Sequence, residues 1–409
     1  MQHLVGGISS AGRAVPQLDG EDFVVDKAKG PYIWDTSGRR YIDTALGFGA
    51  VLLGHADPIV NDAVNKAVSR GSMPAFAHAE EEAAAAALGT ACGPLESVIF
   101  TNSGSEAVHL ACRIARAATG KQRIVKMAAG FDGWYDNMAL GNAGSPEALL
   151  GNGSRPERLS TTLTRFNDKA DLERLFVEFD DVAAIIIEPL LANSGCIEAD
   201  PSYLQAVREL ATRYGALVIA DEVLMGFRTR FGLSSQVTGL YPDLATVGKA
   251  IGNGFAVAAV VGRPTIMAAA QDGRAVRAGT YSGNPVATAA VRATLGELSK
   301  QDYDLLAARG SRIRSALVEA FRKHGQNVVT SGADAVFTLW FNDAPPRLYE
   351  TATAIAKPQR TMDLHLALRR QGVVCMPQAY GRFYLSFAHS DEVIDTMAQA
   401  IGRAVNAIV

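Results

Sequence analysis

Two short apolar runs end in charged residues of complementary chemistry. Ala216-Leu217-Val218-Ile219-Ala220 stops on Asp221-Glu222, and Leu244-Ala245-Thr246-Val247 stops on Gly248-Lys249, with Ile251-Gly252-Asn253-Gly254 after it. Such runs read as buried parallel strands, and each would deliver a charge to the carboxyl-terminal rim where open α/β sheets bind ligands. A lysine among small residues there is partly desolvated, which lowers its pKa and frees the amine to attack a carbonyl. An aspartate nearby can hold a protonated ring nitrogen by a charge-assisted hydrogen bond. A Schiff-base lysine and a pyridinium-pairing aspartate are together what pyridoxal phosphate chemistry requires. Taken singly, each has a plainer explanation: loop lysines are mostly solvated, and strand-end aspartates often cap the next helix.

Other residues add to the pair. Val98-Ile99-Phe100-Thr101 reads as a strand, and Asn102-Ser103-Gly104-Ser105-Glu106-Ala107 leads from it into a helix running through Ala118. Ser103 and Glu106 have the spacing of a capping box. The same strand, Ser-Gly-Ser turn and helix also aim amides and hydroxyls at an anion, at the positive end of the helix dipole. Both readings can hold together. Thr280 and Ser282, in a glycine-flanked loop, offer a second possible phosphate contact. Phe131 follows the strand Arg123-Ile124-Val125-Lys126-Met127, where it either stacks on a flat ring or fills the core. Arg13, in a Gly- and Ser-rich loop over residues 6–13, is either a bidentate carboxylate partner or an exposed terminal arginine. The run Val182-Ala183-Ala184-Ile185-Ile186-Ile187 ends on Glu188-Pro189. Arg228 is expected to pair with a carboxylate such as Glu222, and His55 to be structural.

The elements that must hold these residues follow from composition and pattern. The chain has 409 residues, 48% apolar and 20% charged, enough for two domains. A net charge of −3 argues against nucleic acid or an anionic membrane as partner, and no run approaches a membrane span. The amino terminus lacks the basic-then-apolar form of a signal peptide. Cys92, Cys112, Cys196 and Cys375 have no metal-ligand spacing and are expected reduced and half-buried, which points to the cytoplasm. A hairpin is expected over residues 32–43, a site-covering loop over 141–158, a helix over 203–214 and a strand over 258–262. Near Leu295 the glycine-rich strand pattern gives way to long helices. This divides the chain into an amino-terminal segment (1–48), a large domain (49–294) and a carboxyl-terminal small domain (295–409).

In combination, Ser103-Gly104-Ser105-Glu106-Ala107, Glu188-Pro189, the stretch from Asp221 to Arg228, Gly248-Lys249-Ala250-Ile251-Gly252 and the stretch from Ala278 to Pro285 carry a resemblance. The chain resembles the class III, fold-type I pyridoxal phosphate aminotransferases, on the branch of the glutamate-1-semialdehyde 2,1-aminomutases and β-amino-acid aminotransferases. The resemblance runs from Gly6 to the region of His389. It implies an α/β fold: a mostly parallel seven-stranded sheet flanked by helices, with a smaller α+β domain from both termini. It implies that Lys249 carries pyridoxal 5'-phosphate, that Asp221 holds the ring nitrogen and that Val223 and Phe131 pack on the ring. Ser103, Gly104 and Ser105 would bind the phosphate, joined by Thr280 of the neighbouring subunit in a homodimer with shared sites. Glu188 would belong to the same cofactor site.

Arg13, in Gly-Gly-x-x-Ser-x-x-Arg, would bind the substrate carboxylate. Two departures matter. The family's Tyr-His-Gly is Phe131-Asp132-Gly133 here, which keeps the aromatic ring and loses the histidine. The glutamate of the aminomutase pattern is Gly381, and Arg382 beside it becomes a candidate substrate contact. The expected activity is transfer of an amino group between a carboxylate-bearing amine, such as a β-amino acid, and a 2-oxo acid. The alternatives are the aminomutase and a non-catalytic cofactor-binding protein, the latter opposed by the presence of both Lys249 and Asp221.

Overall fold

The run Val182–Ile187 has no polar residue to turn toward water. The computed structural model, which describes residues 3–150, 155–378 and 380–409, buries all six of its residues. Alternate side chains serve two cores, Ile185 and Ile187 one and Ala184 and Ile186 the other. A strand apolar on both faces belongs mid-sheet with helices on either side. Burying each isoleucine contributes about 1.5–3 kcal/mol relative to leaving it exposed.

The sheet runs in the order Ser97–Thr101, Ala258–Gly262, Leu244–Val247, Leu217–Glu222, Val182–Ile187, Arg123–Met127, Thr161–Thr164, Glu157–Arg158. Ala258–Gly262 is antiparallel to both its neighbours, while the strands from Leu244–Val247 to Thr161–Thr164 run parallel. The expected seven strands thus gain an eighth, the two-residue edge strand Glu157–Arg158. The loop expected over 141–158 is corrected accordingly. Pro146–Ala148 forms a 3-10 turn and the last two residues join the sheet, whereas residues 151–154 lie outside the described residues.

Helix Gly104–Thr119 lays Ala107, Ala111, Cys112 and Ala115 on one face of the sheet, and these small side chains pack in the second core. Helix Pro201–Tyr214 starts with proline in its first turn, where the missing N–H costs nothing, and feeds Leu217–Glu222 from the other face.

Both chain ends build the rest. Arg40–Asp43 pairs antiparallel with Tyr32–Asp35 across the expected Ser-Gly turn, and parallel with Val373–Val374 from the far end of the chain. A second small sheet joins Val329–Ala333, Val336–Trp340 and Phe383–Tyr384. Position 295 lies within helix Pro285–Leu298. His55 is a tie, its Nε2 standing 2.7 Å from Asp43 Oδ2. The four cysteines, expected half-buried, are free and buried. Among the described residues no helix is long and apolar enough to cross a membrane.

Candidate active site

Parallel register brings three strand ends level. Ala220 lies opposite Ile187, and Glu222 opposite Val247, so Glu188, Asp221 and Lys249 emerge at one rim. They open onto a pocket of about 290 Å³, and Ser103, Gly104, Ser105, Phe131, Glu188, Asp221, Val223 and Lys249 all line it. A larger cleft of about 830 Å³, between helices Pro58–Arg70, Ala79–Cys92 and Pro285–Leu298, holds none of these residues. Chemistry rather than size therefore selects the smaller pocket.

The pocket's charges perturb one another. Asp221 Oδ1 accepts the Val223 amide at 2.9 Å and the Thr246 hydroxyl at 3.1 Å. Burial first, and then the neighbouring Asp132 carboxylate, push Asp221 up to about 7. Burial pushes the Lys249 amine down to about 8, against the opposing pull of Asp221 and Glu188. Burial also pushes Glu188 well above the carboxylate range, and its Oε1 accepts the Phe131 amide at 2.7 Å. Lys249 has φ 43°, a left-handed conformation that costs a non-glycine residue on the order of 1–3 kcal/mol and is held here by the short turn Lys249–Gly252. An amine that sheds its proton near neutrality is what attack on a carbonyl needs.

Ser103 caps helix Gly104–Thr119 in a full capping box. Its Oγ accepts the Glu106 amide at 3.3 Å, while Glu106 Oε2 accepts the amides of Asn102 at 2.7 Å and Ser103 at 3.0 Å. The first-turn amides of Gly104 and Ser105 have no intrahelical partner and remain available to an anion. Glycine at 104 is a steric need, because a Cβ there would stand 2.9 Å from Val223 Cγ1. Phe131 is 44% exposed and lines the pocket, which removes the core alternative. An amine for an aldehyde, an acid for a ring nitrogen, amides for a phosphate and an aromatic ring form a coherent donor set for one flat, phosphorylated cofactor.

Three expected residues stand outside the lining. Arg13 is exposed on the 3-10 turn Ala11–Arg13; this turn and a second at Val5–Gly7 interrupt the expected loop. The segment is anchored where Gln378 Nε2 donates to Gly12 O at 3.0 Å. Thr280 is exposed, and its neighbours Gly279 and Ser282 line a separate cleft with His78 and Glu81. Arg382 is buried; its Nη1 donates to Ala192 O at 3.3 Å and to Asn193 Oδ1, and Asn193 lines the pocket.

The expected Arg228–Glu222 pair does not form. Arg228 Nε donates to Leu224 O at 3.1 Å and Nη2 donates to Gly49 O. Glu222 instead accepts the amides of Ser234 at 3.0 Å and Ser235 at 2.6 Å, so its carboxylate is already engaged. Sequence reasoning missed Lys126, Asp132 as a buried acid, and Asn193. A lysine inside an otherwise apolar strand was the available signal for the first; Asn193 carries none, since its role depends on Arg382.

Comparison with known proteins gives the family. The family model for class-III aminotransferases matches residues 17–405. Similar solved structures include an omega-transaminase from Sphaerobacter thermophilus, at 29% identity and TM-score 0.89 over 99% of this chain and 94% of that one. A beta-phenylalanine aminotransferase from Variovorax paradoxus matches at 27% identity and TM-score 0.88, over 99% and 91% of the two chains. A glutamate-1-semialdehyde-aminomutase from Pseudomonas aeruginosa PAO1, at 24% identity and TM-score 0.83 over 95% and 88%, shares the fold. The chain belongs to the class-III aminotransferase family.

Proposed function

We propose that this aminotransferase uses pyridoxal 5'-phosphate to move an amino group between a β-amino acid and a 2-oxo acid. When bound, the cofactor supplies an aldehyde that accepts amines and a ring that takes up the electrons left when a Cα–H bond breaks. Lys249, whose amine is lowered to about 8, would hold the aldehyde, and Asp221 would keep the proton on the ring nitrogen. The Gly104 and Ser105 amides and the Ser103 hydroxyl would hold the phosphate, Val223 and Phe131 would flank the ring, and Glu188 fixes the Phe131 backbone. As a free amine, Lys249 would be the base placed to take and return a proton at the substrate Cα.

Arg13 is the partner of the substrate carboxylate. Thr280, exposed and outside the lining of its own chain's pocket, serves the phosphate of a second subunit, which makes the active unit a homodimer with shared sites.

One observation carries transfer over intramolecular migration. Gly381 has φ 53°, and a Cβ there would approach Thr361 Cγ2 to 2.7 Å, so a glutamate at this position would be strained and would have to displace that methyl. Beside it stands the Arg382 guanidinium, which lowers the proton affinity of Lys249 and holds Asn193 at the pocket wall. A diamine awaiting migration gains from negative charge at this place, and Gly381 supplies none. The test supplies glutamate-1-semialdehyde with no oxo acid. The expected result is no sustained 5-aminolevulinate, whereas a β-amino acid with 2-oxoglutarate or pyruvate aminates the oxo acid one for one. Sustained 5-aminolevulinate formation would overturn the proposal.

A further inference from the structure

Next to Asp221 lies a buried ion pair that the mechanism above does not use. Lys126, on strand Arg123–Met127, is fully buried and Asp132 is 1% exposed. Lys126 Nζ donates to Gly130 O at 2.8 Å and Asn142 Oδ1 at 3.0 Å, and stands 3.5 Å from Asp132 Oδ2. Lys126 thus donates to two oxygens and faces the Asp132 carboxylate; burial lowers the Lys126 amine and raises the Asp132 carboxyl, and the attraction between them opposes both shifts and favours Lys126 as the cation and Asp132 as the anion. No hydrogen bond of full geometry reaches either Asp132 oxygen among the described residues, so the Lys126 charge is the main pull that opposes the rise burial imposes on this carboxyl.

Several groups face the pair. Asp221 does so from Leu217–Glu222, and Asp132 raises its proton affinity. Glu188 does so from the end of Val182–Ile187, since a Cβ on Gly130 would lie 3.0 Å from Asp132 Oδ2 and 3.6 Å from Glu188 Oε1. The Cys112 thiol does so from helix Gly104–Thr119, where Asp132 and Asp221 both add to the rise caused by its burial. Lys249 interacts with Asp221 and Glu188 at the same rim.

We infer that Asp132 and Lys126 are positioning residues that act through Asp221 to set how tightly the cofactor ring nitrogen holds its proton. The inference rests on the reading of Asp221 as the ring-nitrogen partner. Asp132 adds negative charge beside Asp221 and strengthens its hold on a proton, and Lys126 offsets that charge. Their removal therefore has opposite signs. Asp132→Asn leaves the ammonium unopposed and lowers the pH at which the ring nitrogen is half-protonated, by about one unit or more. Lys126→Met leaves Asp132 uncompensated and raises that pH by a similar amount. The double variant, neutral at both positions, returns close to wild type.

The experiment loads each protein with cofactor carrying ¹⁵N in its ring and follows the ¹⁵N chemical shift against pH. Thermal melts of the same samples establish that each variant is folded. Should Lys126→Met not fold, Lys126→Gln, which keeps donors for Gly130 and Asn142, carries the same prediction. Asp221→Asn is the control for the underlying reading. If Asp221→Asn moves the resonance while the two single changes shift it in the same direction, or not at all, the inference fails and the role of Asp221 stands. If Asp221→Asn does not move it, the reading of Asp221 fails and the inference with it.

Discussion

Asp221→Asn removes a charge and almost nothing else. Asparagine keeps Oδ1 for the Val223 amide and the Thr246 hydroxyl, at 2.9 and 3.1 Å from the present oxygen, so its orientation is retained. The new Nδ2 replaces Oδ2 and can donate to Asp132, whose oxygens accept no other hydrogen bond of full geometry among the described residues. The fold should therefore survive with little change in Tm. What disappears is the attraction between a carboxylate and a protonated ring nitrogen. At an effective dielectric of about 20 and a contact of about 3 Å, that attraction is about 5 kcal/mol, and the open pocket reduces it somewhat. A loss of roughly 3–5 kcal/mol corresponds to about 10²–10⁴-fold in the rate of Cα–H cleavage. Cofactor affinity should fall much less, because the proposed phosphate cradle at the start of helix Gly104–Thr119 is untouched. The assay is a single turnover with an amine donor, following conversion of the cofactor spectrum to that of its aminated form. A variant within about tenfold of wild type would refute the assigned role.

The Lys249 amine, ordinarily near 10.5, is pushed down to about 8, so it is protonated below that value and free above it. Capture of cofactor by the apoprotein should accelerate with pH and level off above about 8; a rate that keeps climbing to near the ordinary lysine value would contradict the desolvation argument. Arg13→Ala should raise KM for carboxylated donors roughly 10–100-fold while sparing simple amines, since a charge-assisted contact worth about 1.5–3 kcal/mol is lost. Equal effects on both donor types would remove Arg13 from the site. Lys249→Ala and Thr280→Ala should each be inactive alone and recover activity when mixed as heterodimers, in the one site where both residues are intact. A fully active monomer would dispose of shared sites.

The rim is legible in the sequence because strand ends are local features. Apolar runs stopping on Asp221 and on Lys249 mark both the element and the face. The Ser103–Glu106 spacing announces its capping box within four residues. Long-range partners are not legible in this way. Arg228 reads as needing a carboxylate, yet a backbone carbonyl 179 positions away takes its Nη2. Asp132 reads only as a lost histidine, because its ion pair with Lys126 depends on strand Arg123–Met127 turning that lysine under the pocket rather than toward water. Glu157–Arg158 lies in a stretch rich in turn-forming residues and becomes a strand only because Thr161–Thr164 offers it an edge. Cys112 is more deeply buried than composition suggested because the small-residue helix face that carries it lies flat on the sheet.

The most direct test of the account asks which amine holds the cofactor. The holoprotein is reduced with borohydride, digested, and the cofactor-bearing peptide sequenced by mass spectrometry. The label is predicted on Lys249 alone, within the peptide that follows strand Leu244–Val247. A label on the buried Lys126, or on any other lysine, would contradict the assignment of Lys249 and with it the proposed site.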